Sequence, residues 1–138
     1  MPVDKIVNQP KTEGRKRAAA IIIKDNKLLV IKRHCENHDI VDYYVLPGGG
    51  IEKHETPVQA IIREAKEEVS IDVKLDKLLF KFVNFGAMEH YYLVTSFTGN
   101  VAPANEITTQ EPTDTKDINL LPEKAKTLII EYTSRYGI

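Results

Sequence analysis

Three glutamates lie close together near the middle of the chain, in the sequence EAKEE. Glu64, Glu67 and Glu68 belong to a segment whose apolar residues recur every three or four positions, as in an amphipathic helix. On a helical wheel at about 100° per residue, the three carboxylates share one face beside the apolar stripe. Like charges at this spacing cost roughly 0.2–0.5 kcal/mol per pair, and a bound cation would offset that cost.

Ligation by oxygen atoms alone favours Mg²⁺ or Mn²⁺ over Zn²⁺, so the glutamates predict a divalent metal site. The alternative is a solvated helix face whose charge is neutralised by Arg63 and Lys66. So short a motif is a weak signal, and EAKEE taken alone favours the solvated face. The decision therefore depends on the sequence around it.

The helix that would carry the glutamates has a marked beginning. Thr56 is a preferred N-cap residue, and Pro57 is favoured at the first helical position. The apolar stripe then comprises Val58, Ile61, Ile62, Ala65 and Val69. Just upstream, residues 43–46 predict a short strand that ends at Pro47 and three glycines. A strand, a glycine-rich turn and a capped helix thus lead to the carboxylates in order.

The segment of residues 49–71 resembles the Nudix box, G-x5-E-x7-R-E-U-x-E-E-x-G-U, in which U is aliphatic. Five residues separate Gly49 from Glu55, and seven separate Glu55 from Arg63, which opens the stretch REAKEEVSI. The clear departure is Ser70, where the family has glycine. Charged and glycine positions at fixed spacing are far more specific than EAKEE alone. The resemblance extends over most of the chain, although outside the box it is weak.

The resemblance implies a divalent-metal-dependent hydrolase with Mg²⁺, or Mn²⁺, as its cofactor. The implied metal ligands are the Gly48 carbonyl, Glu64, Glu67 and Glu68. The implied catalytic residues are the same three glutamates, with Glu64 as ligand or base, together with Arg63 and Glu55. Arg63 and Glu55 would form a bidentate pair that pins the glycine-rich loop to the helix. The alternative for Arg63 is an ordinary surface arginine.

The residues implied at the substrate are Arg33, Gly49, Gly50 and Glu111. Arg33 ends a strand and would face the substrate phosphates, with a solvated strand end as the equal alternative. Glu106 and Glu111 lie in the long polar stretch of residues 99–116, which we predict to be a loop. Related enzymes recruit a further acid from this region, although a solvated carboxylate is the better interpretation of either residue alone.

The fold that the resemblance implies is an α/β/α sandwich with a mixed β-sheet. We expect one Nudix domain over residues 16–138 and an N-terminal arm or peripheral strand over residues 1–15. Two apolar runs around an Asp-Asn turn at residues 25–26 predict a hairpin. A change in the phase of alternation near Asp76 predicts a bulge or a turn, and Pro122 opens a second amphipathic helix.

Length and charge restrict the classes of function. The chain has 138 residues with 19 Lys and Arg against 20 Asp and Glu, so a nucleic-acid polymer or a membrane surface is disfavoured as partner. Its longest apolar run has six residues, and its beginning lacks the apolar segment of a signal peptide. The single cysteine, Cys35, favours a reducing cytoplasm.

The activity that the resemblance implies is hydrolysis of the diphosphate linkage in a nucleoside diphosphate derivative. The family's markers for ADP-ribose and for diadenosine polyphosphates are missing, because Gly86 and the residues after it occupy those positions. A (deoxy)nucleoside triphosphate is the default substrate, and a homodimer is compatible with the sequence. The alternative is a Nudix-fold module that binds a nucleotide or a protein partner without hydrolysis, which the intact glutamates disfavour.

Overall fold

The computed structural model describes residues 15–25, 27–35, 41–101, 107–110 and 118–136. Its strands and helices, in chain order, are β1 (Lys16–Lys24), β2 (Lys27–Cys35), β3 (Val41–Val45), β4 (Gly48–Gly50), α1 (Pro57–Val69), β5 (Asp72–Asn84), β6 (Ala87–Thr98), β7 (Ile107–Gln110) and α2 (Glu123–Tyr136). Most of the predicted N-terminal arm, residues 1–14, and the two candidate acids Glu106 and Glu111 lie outside the described residues.

The strands form one mixed sheet in the order β3-β2-β1-β6-β5, with β4 paired to β1 and β7 paired to β2. Strand β1 runs parallel to β6 and antiparallel to both β2 and β4, which confirms the mixed sheet. The first half of β1 lies between β4 and β6, with Ala19 opposite Gly48 and Arg17 opposite Gly50. The glycine strand β4 is therefore part of the sheet and lies next to its central strand.

Alternation along the strands divides the core into two layers. In β1, Ala18, Ala20 and Ile22 pack on the side of α1, whereas Ile21 and Ile23 pack on the side of α2. The helix residues buried in these layers are Ala60, Ile61, Ala65 and Val69 of α1, and Ala125 and Ile129 of α2. One helix therefore covers each face of the sheet, which is the α/β/α sandwich predicted from the sequence.

Helix α1 begins where its sequence predicts. The Thr56 side chain accepts a hydrogen bond from the Gln59 N–H (3.1 Å), and the Gln59 side chain accepts one from the Thr56 N–H (2.9 Å). This capping box satisfies two backbone donors at the helix start. At the other end, Ser70 adopts the left-handed conformation (φ 63°, ψ 32°) and donates its N–H to the Lys66 carbonyl (3.2 Å). Both ends of the helix that carries the glutamates are thus fixed locally.

The prediction that residues 99–116 form a loop is wrong in part, because this stretch contains strand β7. This strand pairs antiparallel with residues 28–31 of β2. Such pairing uses backbone groups at the edge of a sheet, and the sequence of β7, ITTQ, has no apolar alternation to reveal it. Strand β3 begins at Val41, two residues before the strand predicted over residues 43–46.

The other predicted elements are present. The hairpin pairs Ile23 with Leu28, and β5 has a register shift between Leu75 and Lys77, at the predicted irregularity. Helix α2 begins at Glu123, directly after Pro122. Neither of the described helices has the length and apolar character needed to cross a membrane.

Candidate active site

Arg63 connects helix α1 to the residues before it. Its Nε donates to Glu55 Oε2 (2.8 Å) and its Nη2 to Glu55 Oε1 (2.9 Å), so the bidentate pair expected from the sequence is formed. The same Nη2 donates to the Gly50 carbonyl (3.0 Å). One guanidinium therefore ties the helix to the glycine strand and to the connection that follows it. The Arg63 side chain is 24% exposed and that of Glu55 14%, which distinguishes the pair from an ordinary surface ion pair.

Both members of this pair are charged at neutral pH. Hydrogen bonds from the Arg63 guanidinium, and then one from the Glu52 N–H (2.9 Å), lower the pKa of Glu55 from 4.5 to about 2. In return, the hydrogen bond to Glu55 raises the pKa of Arg63 further above its ordinary value. Protonation of Glu55 therefore requires strongly acidic conditions.

The remaining guanidinium nitrogen, Arg63 Nη1, faces two of the helix glutamates. It lies 3.0 Å from Glu64 Oε2 and 3.4 Å from Glu67 Oε1. The Glu67 side chain is mostly exposed, whereas that of Glu64 is largely covered. The Glu64 carboxylate packs closely against Gly49. A Cβ built at Gly49 would stand only 2.5 Å from Glu64 Oε2. Glycine is therefore needed at this position for the carboxylate to approach β4.

The side chain of Glu68 contacts the backbone of the same strand, β4. Its Oε1 accepts a hydrogen bond from the Gly48 N–H (2.9 Å), and its Oε2 lies 3.8 Å from Arg33 Nη2. Burial raises the pKa of Glu68 above its ordinary value, and the nearby charge of Glu64 acts in the same direction. The Gly48 N–H and the Arg33 charge oppose this increase. Glu68 is thus a carboxylate held in a place where its negative charge is costly.

The three glutamates fit a divalent cation by donor type, because carboxylate oxygens are the ligands that Mg²⁺ and Mn²⁺ prefer. Two of these carboxylates already converge on one positive group, Arg63 Nη1. Within the described part of the chain, however, no three His, Cys, Asp or Glu side chains form a ready metal site. The oxygens that a bound ion would need now contact Arg63 Nη1 and the Gly48 N–H.

A cavity of about 610 Å³ opens beside the glycine strand. Its wall includes Gly48 and Gly49, which are the two glycines that Glu68 and Glu64 approach. The apolar part of the wall includes Val45, Leu46, Ala87 and Leu121. A cavity of this size and character is typical of a small-molecule site, and it adjoins the carboxylates across one strand.

The polar floor of this cavity was missed by the sequence analysis. Glu89 is 8% exposed, and its Oε1 accepts a hydrogen bond from the Tyr91 hydroxyl (2.6 Å). Its Oε2 accepts one from Asn84 Nδ2 (3.1 Å) and lies 3.8 Å from Arg17 Nε. Burial, and then the hydrogen bond to Glu89, raises the pKa of Tyr91, which therefore remains a hydroxyl donor. The cavity thus contains a buried acidic group with two neutral donors.

A signal for Glu89 was available in the alternation of β6. Continuing the pattern of Leu93 and Tyr91 back by two residues places Glu89 on the same inward face. Tyr91 itself stacks on Phe80 and Phe82 with ring centroids 4.9 and 5.3 Å away. Tyr91 is buried in the core, while Tyr92 packs against the α1 layer.

The structure brings most of the candidate residues into one region. The glutamates of α1, the Glu55–Arg63 pair and Gly48 surround the glycine strand, and Arg33 lies at the margin beside Glu68. Gly49 lines the cavity, and Gly50 takes part through its carbonyl. Glu111 lies outside the described residues. The roles that the resemblance gives to these residues remain predictions.

The chain is related to known proteins by sequence. A family model, the NUDIX domain, matches residues 14–132, and the chain therefore belongs to the Nudix family. Over 84 residues it is 33% identical to an 8-oxo-dGTP diphosphatase of Proteus vulgaris, a match over 58% of this chain and 74% of the relative. Over 59 residues it is 46% identical to an ADP-ribose pyrophosphatase of Methanocaldococcus jannaschii, a match over 43% of this chain but only 34% of that relative.

Solved structures agree with the fold. The solution structure of the E. coli ORF135 protein superposes with a TM-score of 0.74 at 22% identity, over 93% of this chain and 95% of that one. A MutT structure from a study of the Aliivibrio salmonicida and Vibrio cholerae proteins gives a TM-score of 0.74 at 22% identity, over 87% and 99% of the two chains. At this identity the likeness establishes the shared fold.

Proposed function

We propose that this chain is a divalent-metal-dependent pyrophosphohydrolase that cleaves the diphosphate linkage of a nucleotide, with a nucleoside triphosphate as default substrate. The observation that carries the proposal is the meeting of two features at β4. The glutamates of α1 contact its glycines from one side, and a cavity large enough for a nucleoside adjoins the same glycines. The names of the Proteus and Methanocaldococcus relatives support a nucleotide derivative as substrate.

The residues of the site divide into anchoring and ligating groups. The Glu55–Arg63 pair fixes β4 relative to α1, so the glycine strand keeps its position when a charged substrate arrives. The glutamates of α1 and the Gly48 carbonyl would hold Mg²⁺ or Mn²⁺, with Glu64 as ligand or base. A bound metal would neutralise the diphosphate and lower the pKa of the attacking water. Arg33, at the margin of the cluster, would face the substrate phosphates.

The test is hydrolysis of a substrate panel with Mg²⁺ and with Mn²⁺. The panel contains the four deoxynucleoside triphosphates, 8-oxo-dGTP, ADP-ribose and a dinucleoside polyphosphate, scored by release of nucleotide and of phosphate or pyrophosphate. We expect metal-dependent conversion of a nucleoside triphosphate and water to the monophosphate and pyrophosphate. If no substrate of the panel is hydrolysed, the proposal is overturned. Binding of nucleotides without turnover would then favour the silent binding module.

A second measurement tests the metal site without activity. A cation that binds only the folded protein raises its melting temperature, so Mg²⁺ should stabilise the wild-type chain. The Glu68→Gln variant should lose most of this increase, while Glu131→Gln, an exposed change of the same type on α2, should keep it. Equal increases in the wild type and the Glu68→Gln variant would place the cation elsewhere.

A further inference from the structure

The buried carboxylate in the cavity has no role in the proposed hydrolysis. Each oxygen of Glu89 accepts one hydrogen bond from a neutral donor, Tyr91 or Asn84. Because a carboxylate oxygen has two acceptor positions, Oε1 retains one for a ligand. Oε2 also retains one, since Arg17 Nε, at 3.8 Å, is too far away for a hydrogen bond. We propose that Glu89 selects the base of the substrate by accepting hydrogen bonds from two adjacent N–H donors, such as those on the pairing edge of guanine. This inference rests on the proposed function, which sets where the phosphates bind.

The register of the sheet gives the separation that such a ligand needs. Glu89 of β6 lies opposite Arg17 of β1, and Arg17 lies opposite Gly50 of β4. Glu89 and the glycine strand are therefore two strand spacings apart, about 10 Å. A nucleotide could place its base at Glu89 and its phosphates at β4, where the glutamates of α1 converge. The same cavity joins the two positions, since Glu89, Gly48 and Gly49 all line it.

The number and order of donors distinguish one base from the others. Guanine offers N1–H and its 2-amino group side by side, which matches two acceptor oxygens. Hypoxanthine lacks the amino group and so offers one donor, while adenine places an acceptor nitrogen next to its amine. Thymine has a single N–H between two carbonyls. In every base except guanine, at least one Glu89 oxygen would lose a partner or face another acceptor, which weakens binding.

The rim of the cavity carries a group suited to the face of a planar ring. Phe85 lines the cavity at the turn between β5 and β6, and it is 75% exposed. Its backbone has a positive φ of 50°, a conformation that a bulky residue adopts at a cost. An exposed ring held in this way beside an apolar cavity can stack on a base, a contact that all bases make. Phe85 would therefore contribute affinity, and Glu89 selectivity.

The experiment measures binding by calorimetry rather than hydrolysis. The ligands are α,β-methylene triphosphate analogues of deoxyguanosine, deoxyinosine and deoxyadenosine, with Mg²⁺ present. We expect the guanine analogue to bind the wild-type protein at least about tenfold more tightly than the other two, since each well-placed donor pair discriminates by that order. Equal affinities for the guanine and hypoxanthine analogues would overturn the inference, because these ligands differ only in the second donor.

Variants assign the selectivity to Glu89. In Glu89→Gln one acceptor becomes a donor, so the ratio of guanine to hypoxanthine affinity should fall close to one. Glu89→Asp keeps the charge on a side chain that is one methylene shorter and should also lose the preference, so the test remains possible if Glu89→Gln does not fold. The exposed control Glu131→Gln should leave the ratio unchanged. An unchanged ratio in a folded Glu89→Gln protein would contradict the assignment.

The two proposals can fail separately. Selective binding without hydrolysis of the panel would refute the proposed function alone, and hydrolysis without base selectivity would refute this inference alone.

Discussion

Two acidic sites in this molecule, the glutamates of α1 and Glu89, differ in the groups that contact their carboxylates. The glutamates of α1 contact a guanidinium, at 3.0 Å for Glu64 and 3.4 Å for the exposed Glu67. Glu89, by contrast, is almost fully buried and receives a 2.6 Å hydrogen bond from the Tyr91 hydroxyl. The first site is in direct contact with a guanidinium, whereas the second accepts its hydrogen bonds from neutral donors and has the Arg17 guanidinium only at 3.8 Å.

The difference shows how the two kinds of element serve a site. A helix places carboxylates one turn apart on a single face, which concentrates charge and suits metal binding. A strand places one side chain at a fixed point on the sheet, which suits recognition of a particular edge of a ligand. We therefore expect changes in the α1 glutamates to lower hydrolysis of all substrates alike, and changes in Glu89 to alter the ratios between them.

The largest effect should come from the substitutions Glu67→Gln and Glu68→Gln. Each should lower kcat by about 10³-fold or more, because loss of a metal ligand removes several kcal/mol of transition-state stabilisation. The melting temperature without metal should stay the same or rise slightly, since repulsion between like charges decreases. Steady-state kinetics with thermal melting measures both, with Glu131→Gln as the control. Near-normal turnover in both variants would show that these residues are not the ligands.

A smaller loss should follow from Arg63→Lys. Lysine keeps the charge but cannot form the two parallel bonds to Glu55 and a further bond to the Gly50 carbonyl. Because Arg63 acts by positioning, kcat/KM should fall about 10- to 100-fold, as for other residues that orient ligands. The melting temperature should also fall, whereas in the Glu67→Gln variant it should not.

The control for this prediction is the conservative change Lys66→Arg, on the same helix but in contact with the exposed Asp72. It should leave both kcat/KM and the melting temperature nearly unchanged. If Arg63→Lys behaved in the same way, the contacts of Arg63 would be incidental and the glycine strand would be held by the sheet alone.

The pH dependence of stability should separate Glu55 from the other acids. Its pKa is about 2 in the folded chain and 4.5 when unperturbed, so ionised Glu55 stabilises the fold above pH 4.5. This contribution decreases as the pH falls from 4.5 towards 2. In Glu55→Gln the free energy of unfolding should be lower at neutral pH, and the difference from wild type should shrink across this window. Urea denaturation at several pH values measures it, and a constant difference would contradict the assignment.

Glu68 should show the opposite sign in the same experiment. Burial raises its pKa in the folded chain, so its ionised form costs stability, and protonation relieves that cost. Without metal, Glu68→Gln should therefore be at least as stable as wild type above the raised pKa. Below the unperturbed pKa, where the carboxyl is neutral in both the folded and the unfolded chain, this advantage should disappear.

The features that sequence alone predicts here are local ones. The N-cap at Thr56 and the apolar stripe of α1 depend on residues within a few positions of one another. The contact between Glu55 and Arg63, which the family resemblance implies, also joins residues that are only eight positions apart. Each of these features depends on short-range geometry, and such features can be predicted from the types and spacing of neighbouring residues.

The features that sequence did not predict depend on contacts between distant segments. Glu89 lies in the cavity because β6 pairs with β1 in a register that sets it opposite Arg17. Strand β7 forms because an edge of β2 is open at residues 28–31, a property of the assembled sheet. Neither feature can be predicted from the residues beside Glu89 or from the sequence ITTQ. The proposed metal site depends on the local box, whereas the proposed base recognition depends on the complete sheet.

The smallest predicted effect concerns Ser70, which ends the helix of the α1 glutamates. Its φ of 63° lies in the left-handed region, where a residue with a Cβ is strained by about 1–2 kcal/mol. Ser70→Gly removes that strain but gives the unfolded chain about 0.4–1 kcal/mol of extra entropy. The net change should be a stabilisation of about 0.5 kcal/mol, from the difference of these two effects. The hydrogen bond from residue 70 to the Lys66 carbonyl is a backbone contact and should persist.

Chemical denaturation of Ser70→Gly beside Ser96→Gly tests whether strain is the cause. Ser96 is exposed in β6, outside the residues with positive φ, so the same substitution there should destabilise by about 0.5–1 kcal/mol. Opposite signs for the two variants would confirm the strain at Ser70. Destabilisation by both would mean that the helix end relaxes in solution. Activity of Ser70→Gly should match wild type, because Glu67 and Glu68 are positioned by the body of α1. A loss of activity at unchanged stability would instead place Ser70 within the site.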